Sequence, residues 1–281
     1  MGDGKVLKSQ KEANRRCEMS HSWLFRKTHQ GSGRKRLIDS SNTGLQFLKY
    51  GRIILREGEN PISMETGNEE VGLICLKGEG EIEADGQRFG MEKYDALYLP
   101  IQGRCRIHSR GFFDLAECAA PASKKYGVQF VSFAGVLKDS RLLNKAGIEP
   151  YIRTIHTLIG EANVRATRLL AGITMSKEGN WTSWPPHDHS QVKEEIYLYV
   201  DMPAPNFAVH LNYWDFQNPE IVAIMREGDA VAIQKGYHYN VAAPGTATTF
   251  LWMMAAIREE QDRVFTQVTV QPEFEGRFKL F

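Results

Sequence analysis

Two histidines two residues apart, with glutamates shortly after them, carry the clearest chemical signal in this chain. The stretch Trp184-Pro185-Pro186-His187-Asp188-His189 is followed at once by Glu194-Glu195-Ile196-Tyr197-Leu198-Tyr199. Residues two apart on an extended segment share one face. His187 and His189 are therefore predicted to point into one space. The β-branched and aromatic run from Ile196 reads as a strand, and Glu195 at its head can reach that space. Two imidazoles and a carboxylate suit one divalent transition metal ion such as Zn, Mn or Fe.

Such a cluster needs a rigid β scaffold, and the sequence supplies one. From Leu45 onward short strand-like runs alternate with Gly, Asn and Asp, as in Arg52-Ile53-Ile54-Leu55, Val71-Gly72-Leu73-Ile74-Cys75-Leu76 and Ala96-Leu97-Tyr98-Leu99. Asp85-Gly86 is a strong hairpin turn signal. The β texture returns at Leu169–Met175 and continues through Phe207–Tyr213, Glu220–Met225, Ala230–Ile233 and Thr248–Met254. Helical periodicity is scarce, and the predicted helices are Asp139 to Gly147 and Leu158 to Thr167. Short strands at regular spacing predict an all-β sandwich or barrel with few short helices.

Bulk properties narrow the function classes. The chain has 281 residues and a net charge of +1, with 42% hydrophobic and 25% charged residues. Near-neutral charge gives no bulk attraction to nucleic acid or to a membrane surface. No apolar run is long enough for a bilayer, and no secretory signal is legible. Four scattered cysteines (Cys17, Cys75, Cys105, Cys118) without a C-x-x-C pair fit a reducing, cytoplasmic setting. The basic residues before Ser22 read as a solvated tail, because no recognition pattern accompanies the charge. Trp23-Leu24-Phe25 is where the chain is expected to join the fold.

The two β regions look like copies. Glu69-Glu70-Val71-Gly72-Leu73 parallels Glu194-Glu195-Ile196-Tyr197-Leu198, and Tyr94-Asp95-Ala96-Leu97 parallels Gly228-Asp229-Ala230-Val231. Laying one on the other sets Glu195 on Glu70, His189 on Met64 and His187 on Ile62. His238, two residues after Gly236, falls on Cys105, two after Gly103. The second copy then holds His, His, Glu, His where the first holds Ile, Met, Glu, Cys. This points to a duplicated β-barrel with metal in the second barrel alone, and to His238 as a fourth ligand.

These residues resemble the cupin superfamily, whose first motif carries H-x-H and Glu, and whose second carries Gly, a P-x-G turn, His and Asn. Here the second motif reads Gly228, Gln234-Lys235-Gly236, His238 and Asn240, with Gln234 in place of Pro. Gly179-Asn180-Trp181-Thr182-Ser183-Trp184-Pro185-Pro186-His187-Asp188-His189, with Gly236-Tyr237-His238 and Ala242-Ala243-Pro244-Gly245, is similar to the 5-deoxy-glucuronate isomerase family of inositol catabolism. Tyr197-Leu198-Tyr199-Val200-Asp201-Met202-Pro203 resembles the sister family, 5-keto-4-deoxyuronate isomerase. Ser190 departs from the Asp usual in the inositol enzymes.

The resemblance implies a bicupin of tandem double-stranded β-helix (jelly-roll) barrels. Residues 1–22 would be the tail, 23–135 a first barrel without metal, and 136–281 a second barrel with the metal site. It further implies a ketol-isomerase, an intramolecular oxidoreductase converting 5-deoxy-glucuronate to 5-dehydro-2-deoxy-gluconate. A homo-oligomer is expected on family grounds, and a small uronate-type sugar is the expected partner, rather than a membrane or nucleic acid.

In that chemistry a proton moves between adjacent carbons through an enediol, and the metal stabilises the developing charge. Glu195 enters as a ligand. Glu194, Lys193, Tyr197 and Tyr237 are candidates for the proton shuttle by nearness in sequence alone. Arg165, Arg168 and Arg226 are candidates for a substrate carboxylate, with a surface role as the default for each. Trp181 and Trp184 are as consistent with core packing as with a sugar wall, and His210 reads as a hydrogen-bonded strand residue. Competing functions are an iron cupin oxygenase, since three His and one Glu also suit Fe(II), and a non-catalytic sugar-binding cupin.

Overall fold

A computed structural model describes residues 23–278 and 280. The basic segment 1–22, with Cys17, lies outside the described residues. The chain is almost entirely sheet, arranged in three antiparallel sheets. One is built on Gly33–Ile38, Lys49–Leu55, Arg104–Pro121, Glu69–Ala84, Ala96–Leu99 and Gln129–Val131, in that spatial order. A seven-stranded sheet runs Leu24–Phe25, Ala230–Ile233, Lys193–Tyr199, Thr249–Ala256, Leu169–Ser176, Arg153–Ile159 and Leu143–Ala146. A five-stranded sheet runs Ile221–Met225, Ala208–Tyr213, Tyr237–Ala242, Trp181–Asp188 and Thr269–Val270.

Strand alternation explains the three cores. Val71, Leu73 and Cys75 face the inside of the first sheet's fold, with Ile53, Leu97 and Leu115. Tyr197 and Tyr199 face the space enclosed by the other two sheets, with Leu170, Phe250 and Trp252. The intervening residues Ile74 and Leu76, Ile196 and Leu198, meet in a third core shared by both halves. These strands are buried on both faces and so read as continuous apolar runs. Asp85 and Gly86 both take positive φ between Glu69–Ala84 and Gln87–Met91, as the hairpin reading requires.

Both predicted helices fail. Leu143–Ala146 is a strand paired with Arg153–Ile159, and Leu158 and Ile159 belong to that second strand. Short apolar runs carry too few periods to separate helix from buried strand. The α-helix among the described residues is one turn, Phe133–Val136, capped by the Ser132 side chain. Leu24–Phe25, expected to open the first barrel, pairs instead with Ala230–Val231 of the second half.

The pairing registers align the two halves differently from the sequence: the glutamate moves by one residue, His187 and His189 by two, and His238 stays on Cys105. Ala96 pairs with Ile74, and its counterpart Ala230 pairs with Leu198. Counting back four residues from each reaches Glu70 and Glu194, so Glu195 corresponds to Val71. Met64 pairs with Cys105 as His187 pairs with His238. His187 therefore matches Met64, and His189 matches Thr66. A one-residue slip exchanges the faces of a whole strand: the glutamate common to both halves faces the shared core, not a barrel interior. Hydrogen bonds repeat the same correspondence. Asp95 accepts from the backbone N–H of Glu92 and Phe133, and Asp229 accepts from those of Arg226 and Lys27.

Candidate metal centre

The three histidines come from two neighbouring strands of the five-stranded sheet and the loop that follows one of them. His187 lies on Trp181–Asp188 directly opposite His238 on Tyr237–Ala242, and His189 follows the first strand's end. Asp188 braces the two segments, because its carboxylate accepts from the backbone N–H of Ser190 and of Gly236. Gly236 has φ +89°, and a Cβ there would meet the Tyr213 carbonyl at 2.6 Å, so the turn that delivers His238 requires glycine. Glu195 arrives from the facing seven-stranded sheet.

Ring orientation is fixed by backbone carbonyls. The Nδ1 atoms of His187, His189 and His238 lie 3.1, 3.2 and 3.2 Å from the carbonyls of Pro185, Lys193 and Gly236. A proton on each Nδ1 leaves the Nε2 lone pairs free to converge. One ligand atom from each of the three lies within 4.8 Å of the others. Glu195 Oε2 sits 3.0 Å from His189 Nε2 and 3.1 Å from His238 Nε2. His238 Nε2 and Glu195 Oε1 are buried without a well-aligned hydrogen-bond partner. Unsatisfied donor atoms in a dry pocket, aimed at one point, are what a bound cation would complete.

Electrostatics agree with that donor set. Burial, reinforced by His238 and His189, pushes His187 well below the usual imidazole range, so it stays neutral and able to ligate. Burial alone would raise the Glu195 carboxyl, but His189 and His238 outweigh it and hold it at about 2. The cluster of three imidazoles could hold a metal ion, and its nitrogen and oxygen donors suit a divalent transition metal.

The other sequence candidates separate sharply. Tyr197 lines the same cavity, with its ring 5.7 Å from that of His238 and its hydroxyl 2.8 Å from Ser183 Oγ. Tyr237 is one residue from His238 and faces the other way, stacked 5.7 Å from the exposed Trp214. Lys193 is fully buried, and its ammonium donates to the carbonyls of Val264 and Gln267, both at 2.7 Å. Glu194 accepts the backbone N–H groups of Gln46, Phe47 and Leu48 across the interface between the halves.

Trp181 and Trp184 stack with Tyr239, and Trp184 also with Phe274, so neither lines the cavity. His210 does point inward, bonded to the Tyr199 hydroxyl at 2.9 Å. Sequence reasoning missed Ser183, a non-glycine residue at φ +56° in the cavity wall, and Arg153 beside it. A serine among aromatics gives no sign of backbone strain, and a lone arginine opening a strand looks like any surface cation.

Comparison with known proteins identifies the lineage. The model of the KduI/IolB family matches residues 23–272. The chain belongs to the KduI/IolB family. A 5-deoxy-glucuronate isomerase of Geobacillus kaustophilus is 26% identical over 235 residues, 78% of this chain and 83% of the relative. A 4-deoxy-L-threo-5-hexosulose-uronate ketol-isomerase of Caldicellulosiruptor bescii is 27% identical over 192 residues, 66% of this chain and 67% of the relative. Among solved structures, an IolB-like protein of Salmonella typhimurium superposes with TM-score 0.74 at 21% identity, covering 86% of this chain and 97% of that one. Oxalate decarboxylase superposes at TM-score 0.60 and 10% identity, covering 82% of this chain and 76% of that one, which shows the cupin fold alone. This KduI/IolB chain is thus an all-β, cupin-like protein, and no helix among its described residues is long and apolar enough to cross a membrane.

Proposed function

We propose that this protein is a metal-dependent ketol-isomerase of acidic sugars, converting 5-deoxy-glucuronate to 5-dehydro-2-deoxy-gluconate in inositol catabolism. The observation that carries the reading is the convergence of three carbonyl-oriented imidazoles and the Glu195 carboxylate, one of its oxygens unsatisfied, beside a buried cavity that His187, His189 and Glu195 line. The names of the two relatives support the reaction class. His187, His189, His238 and Glu195 would hold one divalent ion, Zn, Mn or Fe. When bound, it would polarise the sugar carbonyl and offset the charge of an enediolate. The second half, from about residue 136, would carry the site, and the first would serve packing and assembly.

Side-chain chemistry divides the labour. Glu195, held at about 2, stays ionised and is a weak base; its role is charge and ligation. Burial pushes the Tyr197 phenol well above its ordinary value, so it is protonated at neutral pH. It is suited to donate a hydrogen bond or proton to the substrate oxygen, with Ser183 fixing its direction. Lys193, tied to two carbonyls, acts by positioning the segment 264–267 beside the cavity. Tyr197→Phe is expected to lower kcat about 100-fold, and Tyr237→Phe to leave kcat/KM within about twofold because its ring lies on the opposite face. Steady-state rates of the two variants, measured side by side, check both.

Unpaired buried thiols at Cys75, Cys105 and Cys118 support a reducing, cytoplasmic setting. Exposed Val222 and Ile224 on the edge strand Ile221–Met225 support self-association. The deciding test is incubation of the metal-loaded protein with 5-deoxy-glucuronate, followed by NMR. Ketose product is expected; an unchanged spectrum at stoichiometric metal rejects this substrate.

A further inference from the structure

The cavity lined by His187 and His189 is also lined by a buried cation that no carboxylate among the described residues pairs. Arg153 opens the strand Arg153–Ile159, is 2% exposed, and lines the cavity with His187, Glu195, Tyr197 and Ser183. Among the described residues its guanidinium donates to two carbonyls, those of Tyr151 and Leu280, and lies 5.9 Å from the centre of the Tyr151 ring. No carboxylate among the described residues pairs with it. The contrast with Arg52 is direct. Arg52 is 3% exposed, and Asp114 meets it through a two-point pairing at 2.6 and 2.7 Å. A buried arginine left with neutral acceptors costs stability, and burial lowers the Arg153 pKa to about 10. A cost of that kind is retained where the missing anion comes from outside.

The three arginines that sequence reasoning offered for this task are elsewhere. Arg165 is exposed over the Tyr126 ring, Arg226 is exposed, and Arg168 is spent on the carbonyls of Pro121, Ala256 and Ile257. The cavity itself measures about 40 Å³, closed on one side by Phe265, Val268 and Leu280. That is room for about one water, so a sugar acid must displace part of this wall, and with it the Leu280 carbonyl that now occupies Arg153.

We propose that Arg153 binds the carboxylate of the acidic sugar, taking it in a two-point pairing in exchange for the Leu280 carbonyl, and so selects uronates over neutral sugars. The inference rests on the isomerase reading for its substrate class. Its chemistry is the fork-to-carboxylate match, which a lysine supplies only as a point charge.

Three measurements on the metal-loaded full chain test it: calorimetric titration with D-glucuronate and with D-glucose, turnover of 5-deoxy-glucuronate, and thermal melting. The wild type is expected to prefer glucuronate. Arg153→Gln is expected to lose about 10- to 100-fold in glucuronate affinity with glucose binding unchanged, to raise KM for 5-deoxy-glucuronate in step, and to melt no lower than wild type. A purely structural arginine predicts the reverse pattern, lower melting with unchanged discrimination, and that result overturns the proposal. If Arg153→Gln does not fold, Arg153→Lys keeps the cation and loses the fork; glucuronate affinity unchanged in that variant overturns the proposal equally, and a fall of fivefold or more upholds it. A wild type that binds glucuronate no better than glucose also overturns it. Discrimination that depends on Arg153 without any turnover upholds this inference and rejects the isomerase reading alone.

Discussion

His238→Ala is expected to strip the protein of metal and lower kcat/KM by about 10³-fold, roughly 4 kcal/mol of transition-state stabilisation. The imidazole stands at the centre of the cluster. It faces His187 across the strand pair at a ring separation of 4.6 Å, His189 at 5.1 Å, and the Glu195 carboxylate at 3.1 Å. Its removal leaves two imidazoles and a carboxylate that no longer surround one point. The fold has little stake in the ring, whose polar attachment outside the cluster is the Gly236 carbonyl two residues away. Apo wild type and apo variant should therefore melt within a few degrees of each other.

The difference between them should appear on adding metal. Wild type gains about 3–4 kcal/mol when free metal stands at 100 to 1,000 times its dissociation constant, and the variant gains nothing comparable. Dialysis of wild type against a chelator should reproduce the loss of activity, and the ion that restores it identifies the native metal. Stoichiometric metal retained in both His238→Ala and His187→Ala would sink the ligand assignment.

The candidate ligands were legible because their spacing is enforced by strand geometry, which sequence displays directly. His187 and His189 sit two apart, and Gly236 marks the turn before His238. What stayed hidden depends on which face a strand presents. Glu69-Glu70 and Glu194-Glu195 are both paired glutamates, so either of two registers lays acid on acid, and sequence offers no penalty for the wrong one. Only the pairing of Ile74 with Ala96 and of Leu198 with Ala230 decides it. Tyr237 was misplaced for the same reason, since nearness along a strand alternates between opposite faces. Arg153 was invisible because its meaning lies in what it lacks among the described residues, a buried counter-charge, and sequence does not display absences of that kind. Met64, Thr66, Val71 and Cys105 stand at the four ligand positions in the first half, and three of the four pack in an apolar core.

Glu70→Ala is expected to cost about 3–5 kcal/mol of stability while leaving metal stoichiometry unchanged. Its carboxylate is fully buried and accepts four donors: the Tyr98 hydroxyl and the backbone N–H groups of Thr167, Arg168 and Leu169, at 2.5 to 2.9 Å. Those N–H groups lead into the strand Leu169–Ser176 of the other half. Glu194 makes the mirror contact, holding Gln46, Phe47 and Leu48 where the chain enters Lys49–Leu55. The two clamped segments touch, with the Arg168 guanidinium 4.3 Å above the Phe47 ring. Each half thus fixes the entry to a long strand of the other through one carboxylate, which is why both copies keep a glutamate there though only one lies beside a candidate ligand. Alanine leaves buried N–H groups without an acceptor, and a chain of this size should lose about 10 °C in Tm. Glu70→Gln keeps one acceptor oxygen and should lose about half as much. Glu194→Ala should fall between them, because Gln46 is exposed and water can reach its N–H. Thermal melting with metal analysis on the same samples separates the registers. Glu70→Ala should lower Tm and keep its metal, whereas Glu195→Ala should lose metal. A Glu70→Ala protein that melts within about 2 °C of wild type would remove the clamp, and one that loses metal would restore the register in which Glu70 and Glu195 are equivalent.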